Sequence, residues 1–137
     1  MKQSSRREFL GKASFLGVGS LTMPLTKHME IQNKLLVHHV FFWLKQSGSS
    51  SDRAKLVEGL QTLKAIPTIL QFHIGYPAST EKRAVVDNSW DVSALMFFTD
   101  LAAQQTYQDH PIHQAFIKNY SHLWSKVVVY DAMDVVG

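Results

Sequence analysis

The 137-residue chain contains no cysteine. That absence excludes a disulfide framework, a thiolate metal site, a cysteine nucleophile and a lipoprotein attachment point. Stability must then come from packing or from a partner subunit. Basic charge is scarce where it would matter. The sequence pI is near 9.2, but six of the fourteen Lys/Arg (Lys2, Arg6, Arg7, Lys12, Lys27 and Lys34) fall in residues 1–34 against only Glu8 and Glu30, whereas residues 35–137 hold eight against nine Asp/Glu. The larger part therefore carries a net charge of −1 and offers no basic footprint for a phosphate backbone, which argues against nucleic acid as a partner. Long apolar runs are missing too. The weakly apolar stretch from Ala13 to Leu25 is interrupted by Gly17, Gly19 and Pro24, so it cannot span a bilayer core of roughly 30 Å as a stable helix. No internal repeat or low-complexity tract is present. What remains, 45% hydrophobic and 18% charged residues, is the composition of one globular domain.

The first 34 residues read as a leader. Ser5-Arg6-Arg7-Glu8-Phe9-Leu10 precedes Gly11-Lys12 and the Ala13–Leu25 stretch, the order of a charged segment followed by a short hydrophobic one. The pair Arg6-Arg7 with Phe9 and Leu10 behind it resembles the bacterial twin-arginine export motif, which implies the twin-arginine translocation machinery as a partner and a periplasmic or otherwise exported location. A small-x-small cleavage tripeptide is missing. Removal of the leader and its retention as an N-terminal membrane tether therefore both stay open.

Residues 35–137 read as a single α+β domain. From Leu35 to Leu44 both alternating sets of side chains are largely apolar, which predicts a strand covered on both faces. After a Ser/Gly turn with Ser51 or Asp52 as helix cap, Leu56, Val57, Leu60 and Leu63 recur at helical spacing over residues 53–66, and Pro67 closes the segment. Residues 69–75 and 91–99 are strand-like, separated by a polar connection. A helix is expected over 101–109, interrupted at Pro111 and resumed through Ile112, Phe116, Tyr120 and Leu123, before a Val-rich strand over 126–136. The order β-α-β-β-α-β is the ferredoxin-like arrangement, an antiparallel sheet with the helices on one face. Its other face needs a cover, which a second copy stacked sheet to sheet would supply, giving a homodimeric α/β barrel.

The elements that distinguish this chain are Leu36-Val-His-His-Val-Phe-Phe-Trp-Leu-Lys45, the helix before Pro67, Tyr107-Gln-Asp-His-Pro-Ile-His113 and the Val-rich last strand. Over residues 35–136 they resemble the stress-responsive dimeric A/B barrel, or Dabb, family. The resemblance implies the dimeric barrel fold and leaves activity open. Many members are small dimeric proteins of unassigned or stress-related role, and a plant member is a cofactor-independent polyketide cyclase. Carried over by position, the cyclase pattern implies His39, Tyr107 and His113 as catalytic residues.

Imidazole accepts and returns protons near neutral pH, so His113 facing an apolar pocket is a candidate general base, and Tyr107 is a candidate donor to a developing oxyanion. His38 and His39 point to opposite faces of their strand, so only one of them can join a pocket. His110, before Pro111, is expected to bond helix-terminal carbonyls at the break, and Trp43 is a candidate pocket or structural residue. His39, His110 and His113 together are the makings of a three-His metal site, but no motif places a carboxylate beside them. No metal and no cofactor is expected. Two functional classes stay open: a protein that holds an apolar or aromatic small molecule in a stress-related role, and a cofactor-independent cyclase, lyase or monooxygenase using His113 with Tyr107. Convergence of His113 Nε2 and the Tyr107 hydroxyl on a closed apolar cavity would favour the enzyme, and burial of both without a cavity the binding protein.

Overall fold

The computed structural model describes residues 34–135; the expected export motif, with Arg6, Arg7, Phe9 and Leu10, lies outside the described residues. The elements are β1 (Leu36–Leu44), α1 (Ser50–Thr62), a short 3₁₀ turn at Leu63–Ala65, β2 (Gln71–Gly75), β3 (Val92–Phe98), α2 (Leu101–Asp109), α3 (Pro111–Tyr120), a second 3₁₀ turn at Ser121–Leu123 and β4 (Trp124–Met133). The strands form one antiparallel sheet in the order β2-β3-β1-β4. This is the ferredoxin-like topology expected from the sequence.

In β1 the alternation resolves a phase that composition left undecided. Leu36, His38, Val40, Phe42 and Leu44 are buried, and Val37, His39, Phe41 and Trp43 are half-buried. The buried set meets Val92, Ala94, Met96 and Phe98 of β3, and against this face pack Leu56, Leu60, Leu63 and Ile66 from α1 and the turn after it, Tyr107 of α2 and Phe116 of α3. Removal of these side chains from water is the main source of stability in a domain this small.

Helix α1 begins earlier than its sequence signals. Ser49, not Ser51 or Asp52, is the cap: its hydroxyl accepts from the Asp52 amide at 3.3 Å. Gly48, at φ +82°, turns the chain sharply enough to free Ser49 for that role, and Asp52 then sits in the first turn, where its charge suits the helix dipole. At the other end Ile66, before Pro67, is extended, as the proline ring requires. Gly59 lies where α1 meets α3, and a Cβ there would come within 2.7 Å of the Tyr120 ring. A Gly59→Ala variant should therefore lose stability, by about 1–2 kcal/mol, although alanine favours a helix: the overpacking cost exceeds the propensity gain of roughly 1 kcal/mol. Urea unfolding of the two proteins measures the difference, and an unchanged or raised midpoint would contradict it.

Asp91 is the buried polar anchor of the β1–α1 turn. One carboxylate oxygen accepts from the Leu44 amide at 2.8 Å. The other accepts from the Ser47 hydroxyl at 3.3 Å and the Gly48 amide at 3.4 Å, and lies 3.9 Å from the Arg53 guanidinium.

The opposite face of the sheet is covered in part by the chain itself. Trp90, at the end of the connection between β2 and β3, packs edge-on to Phe41 with ring centroids 5.1 Å apart, and the Trp43 indole donates to Ser89 Oγ at 3.0 Å. Trp43 is thus a structural residue of this outer face, with Lys126 Nζ 4.5 Å from its ring centroid. Val37, His39 and Leu95 remain half-buried, and Tyr130 of β4 is 65% exposed.

Candidate functional site

A cavity of about 340 Å³ lies between the helices and the sheet. Five polar residues line it: His38 from β1, Tyr107 and Gln108 from α2, His113 from α3 and Ser121 from the turn before β4. The Tyr107 and His113 rings lie 4.8 Å apart and the His38 and Tyr107 rings 5.7 Å apart. The rest of the wall is mostly apolar, with Phe42, Met96, Phe116 and Trp124 prominent, and none of the lining residues is Lys, Arg, Asp or Glu. Where the wall reaches solvent it does so through Gln108 and through Ile117, Val127 and Val129, the last three each roughly two-fifths exposed. The solvent-facing rim is therefore mostly apolar, with Val127 and Val129 of edge strand β4 on one side and Gln108 as its polar member.

The Asp109-His110-Pro111 sequence explains how Tyr107 and His113 come together. His110 precedes a proline and adopts an extended conformation, ending α2; Pro111 then opens α3 at its first position. His110 Nδ1 accepts from the Ile112 amide at 3.1 Å, so it caps the start of α3 and does not serve helix-terminal carbonyls. Six residues would leave Tyr107 and His113 on poorly matched faces of one helix, and the break aims both at the same space.

The strand histidine in the cavity is His38. Its Nδ1 donates to Asp131 Oδ1 of β4 at 2.5 Å, the two residues being directly opposed in the antiparallel register. This bond fixes the tautomer and leaves Nε2 as the nitrogen free for a ligand. His39, to which the sequence resemblance assigns the catalytic position, is on the other face, its ring centroid 4.2 Å from that of Phe41. The reason is the pleat: burial of Leu36, Val40, Phe42 and Leu44 beneath the helices dictates that His38 accompany them. His39, His110 and His113 consequently do not converge, and among the described residues no group of three His, Cys, Asp or Glu is placed to hold a metal ion.

Burial sets the electrostatics of the other two groups. The Tyr107 phenol is pushed well above its ordinary value by desolvation, so it stays a hydrogen-bond donor at any physiological pH. His113 is held below the usual histidine value, chiefly by burial and further by the nearby His38, while a hydrogen bond to the Gln108 backbone carbonyl acts in the opposite direction. At neutral pH it is uncharged and able to accept a proton.

The family model for the stress-responsive A/B barrel domain matches residues 36–134. The chain belongs to the Dabb family. Among solved structures, this Dabb chain is similar to a Dabb-family protein with a ferredoxin-like fold from Mesorhizobium loti, at 26% identity, with 74% of this chain and 98% of that one covered and a TM-score of 0.62. It shares its fold with a dimeric ferredoxin-like protein of unknown function from Thermobifida fusca, at 17% identity, 74% and 92% coverage and a TM-score of 0.60. The fold is also that of the hydroxynitrile lyase of Passiflora edulis, at 19% identity, 75% and 95% coverage and a TM-score of 0.62. No curated protein sequence matches the chain. The shared fold thus serves both an enzyme and a protein without an assigned role, and for this Dabb chain the cavity is what can discriminate.

Sequence reasoning missed His38 and Asp131. A signal for Asp131 exists: it is the acidic residue inside the otherwise apolar run from Val127 to Met133.

Proposed function

We propose that this Dabb protein carries out acid–base chemistry, without a cofactor, on a small, uncharged and largely apolar molecule held between its helices and sheet. The observation that carries the reading is the convergence of His38, Tyr107 and His113 on one apolar cavity. A charged wall would select ions, and this wall has none. Its volume falls at the lower end of those that bind drug-sized ligands. In the proposed step an imidazole, His113 or the Asp131-oriented His38, takes a proton from the bound molecule, while the Tyr107 hydroxyl donates a hydrogen bond to the oxygen on which negative charge develops. The proton then returns from the imidazolium to the product, so no external reductant or oxidant is needed. A cyclase- or lyase-type reaction fits this sequence of transfers. The alternative, holding an apolar ligand without turnover in a stress-related role, draws on the same apolar lining.

Two further properties belong to the proposal. The chain works as a homodimer, as the half-covered outer face of the sheet and the dimeric relatives favour. It is exported by the twin-arginine route to the periplasm or beyond, on the strength of Arg6-Arg7 with Phe9 and Leu10.

Mass spectrometry of small molecules that co-purify with the natively expressed protein identifies the ligand class, which is then assayed for conversion. His113→Ala should fold normally and lose turnover; unchanged turnover would remove His113 from the mechanism. The pH profile supplies an independent check. Because burial lowers the His113 value, the rate should stay level through the ordinary histidine range near 6.5 and fall only at more acid pH, where the base becomes protonated. The same sign holds for stability: the folded state disfavours the imidazolium, so stability is full above the unfolded-state value and declines as pH drops through the folded one.

A further inference from the structure

The outer face of the sheet carries a second pair of histidines that the cavity does not use. The register sets His73 of β2 opposite Leu95 of β3, Leu95 opposite His39 of β1 and His39 opposite Tyr130 of β4. These four residues make one straight row across all four strands, with the two imidazoles flanking a leucine. Beside His73 is a shallow depression of about 270 Å³ bordered by Gln71, Leu95 and Phe97.

Among the described residues, the surroundings of the row hold nothing to neutralise a positive charge. His39 is met by Phe41 on its own strand, by Tyr130 from β4 and, across Leu95, by His73; His38 adjoins it on the reverse face. From β3 come Ser93 and Phe97, and from β2 Gln71 and Gly75. Lys126 stands at the Trp43 end, near Asp87 of the β2–β3 connection, whose carboxylate is taken up by Ser89. At the other end the Asp134 carboxylate accepts from the Leu35 amide. Glu81, Lys82 and Arg83 belong to the exposed part of the β2–β3 connection. Among the described residues, no carboxylate bonds either imidazole of the row.

We propose that the His39–Leu95–His73 row is a proton-sensitive seam, on which a second copy of this chain docks sheet to sheet at neutral to basic pH and from which it is released on acidification. The inference rests on the homodimer reading. Two-fold symmetry places the same patch on both sides of such an interface, so two imidazoles become four in a space closed to water. Each proton added there has to be accommodated without a counter-charge. His39 already shows the tendency in the single chain: its value is lowered first by burial, then by His73 and His38. Docking extends the burial and lowers it further. The dimer therefore binds fewer protons than the separated chains, association is strongest above the ordinary histidine range, and it weakens as pH falls through it.

Sedimentation equilibrium of the full chain at about pH 8 and about pH 5.5, either side of the ordinary histidine value, tests this, with circular dichroism confirming that the chain is folded at both. The expected result is a dimer whose Kd rises about tenfold at the lower pH, the order of change that the two symmetry-related His39 rings, each depressed by about a further unit on docking, would produce. The His39→Gln/His73→Gln double variant should dimerise nearly equally at the two values. A dimer equally tight at both pH values in the wild-type chain would overturn the seam and leave the homodimer standing. Acid release that persists undiminished in the double variant would also overturn it, by assigning the proton uptake elsewhere. A monomer at both pH values would overturn the homodimer and the seam together.

Discussion

Replacing His38 with glutamine lowers turnover in the cavity by about 10²–10⁴-fold, the range expected when a positioned proton-transfer group is lost. Glutamine fills similar space and keeps a polar tip near Asp131, so the buried strand position is not emptied. Unfolding by urea should show a much smaller change than the assay. Asp131→Asn reduces turnover less, because the Asp131 side chain is about half exposed and water takes over part of its role. The amide also disturbs the tautomer that the carboxylate fixes, so the loss should be in kcat more than in KM. His39→Gln, measured at about pH 8, above the ordinary histidine range, leaves turnover unchanged. A full loss in His39→Gln with none in His38→Gln would show that the two faces of β1 have been assigned the wrong way round.

The largest effect on stability is expected at Asp91. Asp91→Ala removes the acceptor for the Leu44 amide, the Ser47 hydroxyl and the Gly48 amide together, and strands Arg53. An unsatisfied buried donor costs about 1–3 kcal/mol, so a total loss of about 3 kcal/mol is expected. For a domain of this size that is a fall in Tm on the order of 15 °C. Asp91→Asn should be intermediate, since its one carbonyl oxygen can serve Leu44 or the Ser47–Gly48 side but its NH₂ group then faces donors. Thermal unfolding of the three proteins orders them. An alanine variant as stable as the wild type would mean that water replaces the carboxylate, and that the turn does not depend on it.

How far the sequence discloses this protein depends on what each signal encodes. The element order was legible because helical spacing in Leu56, Leu60 and Leu63, and breaks at Pro67 and Pro111, are local properties. The topology followed from that order. The choice between His38 and His39 was not legible, because β1 is apolar on both sides and alternation gives a phase only when one face is polar. Which side faces the helices is decided by packing against β3 and α1, which are remote in sequence. Asp131 escaped for the same reason: its partner is 93 residues away, and nothing local relates the two. Tyr107 and His113 were accessible because a single short segment holds them, and the Pro111 break that brings them together lies inside it. The His39–His73 row became visible only through strand register, which loops of unequal length do not reveal.

The sheet order has a consequence in time as well as in space. Among the described residues β1 is the first strand made and is central in the sheet, and its β4 neighbour is the last of the four, so that one side of β1 stays unpaired until the other three strands have been made. Pairings so distant along the chain close slowly, since the entropy of a long loop must be overcome before any contact compensates it. The bond between His38 and Asp131 belongs to that last pairing. The closing of the sheet and the orienting of the cavity's strand histidine are therefore one event, and a chain interrupted before its final strand has neither.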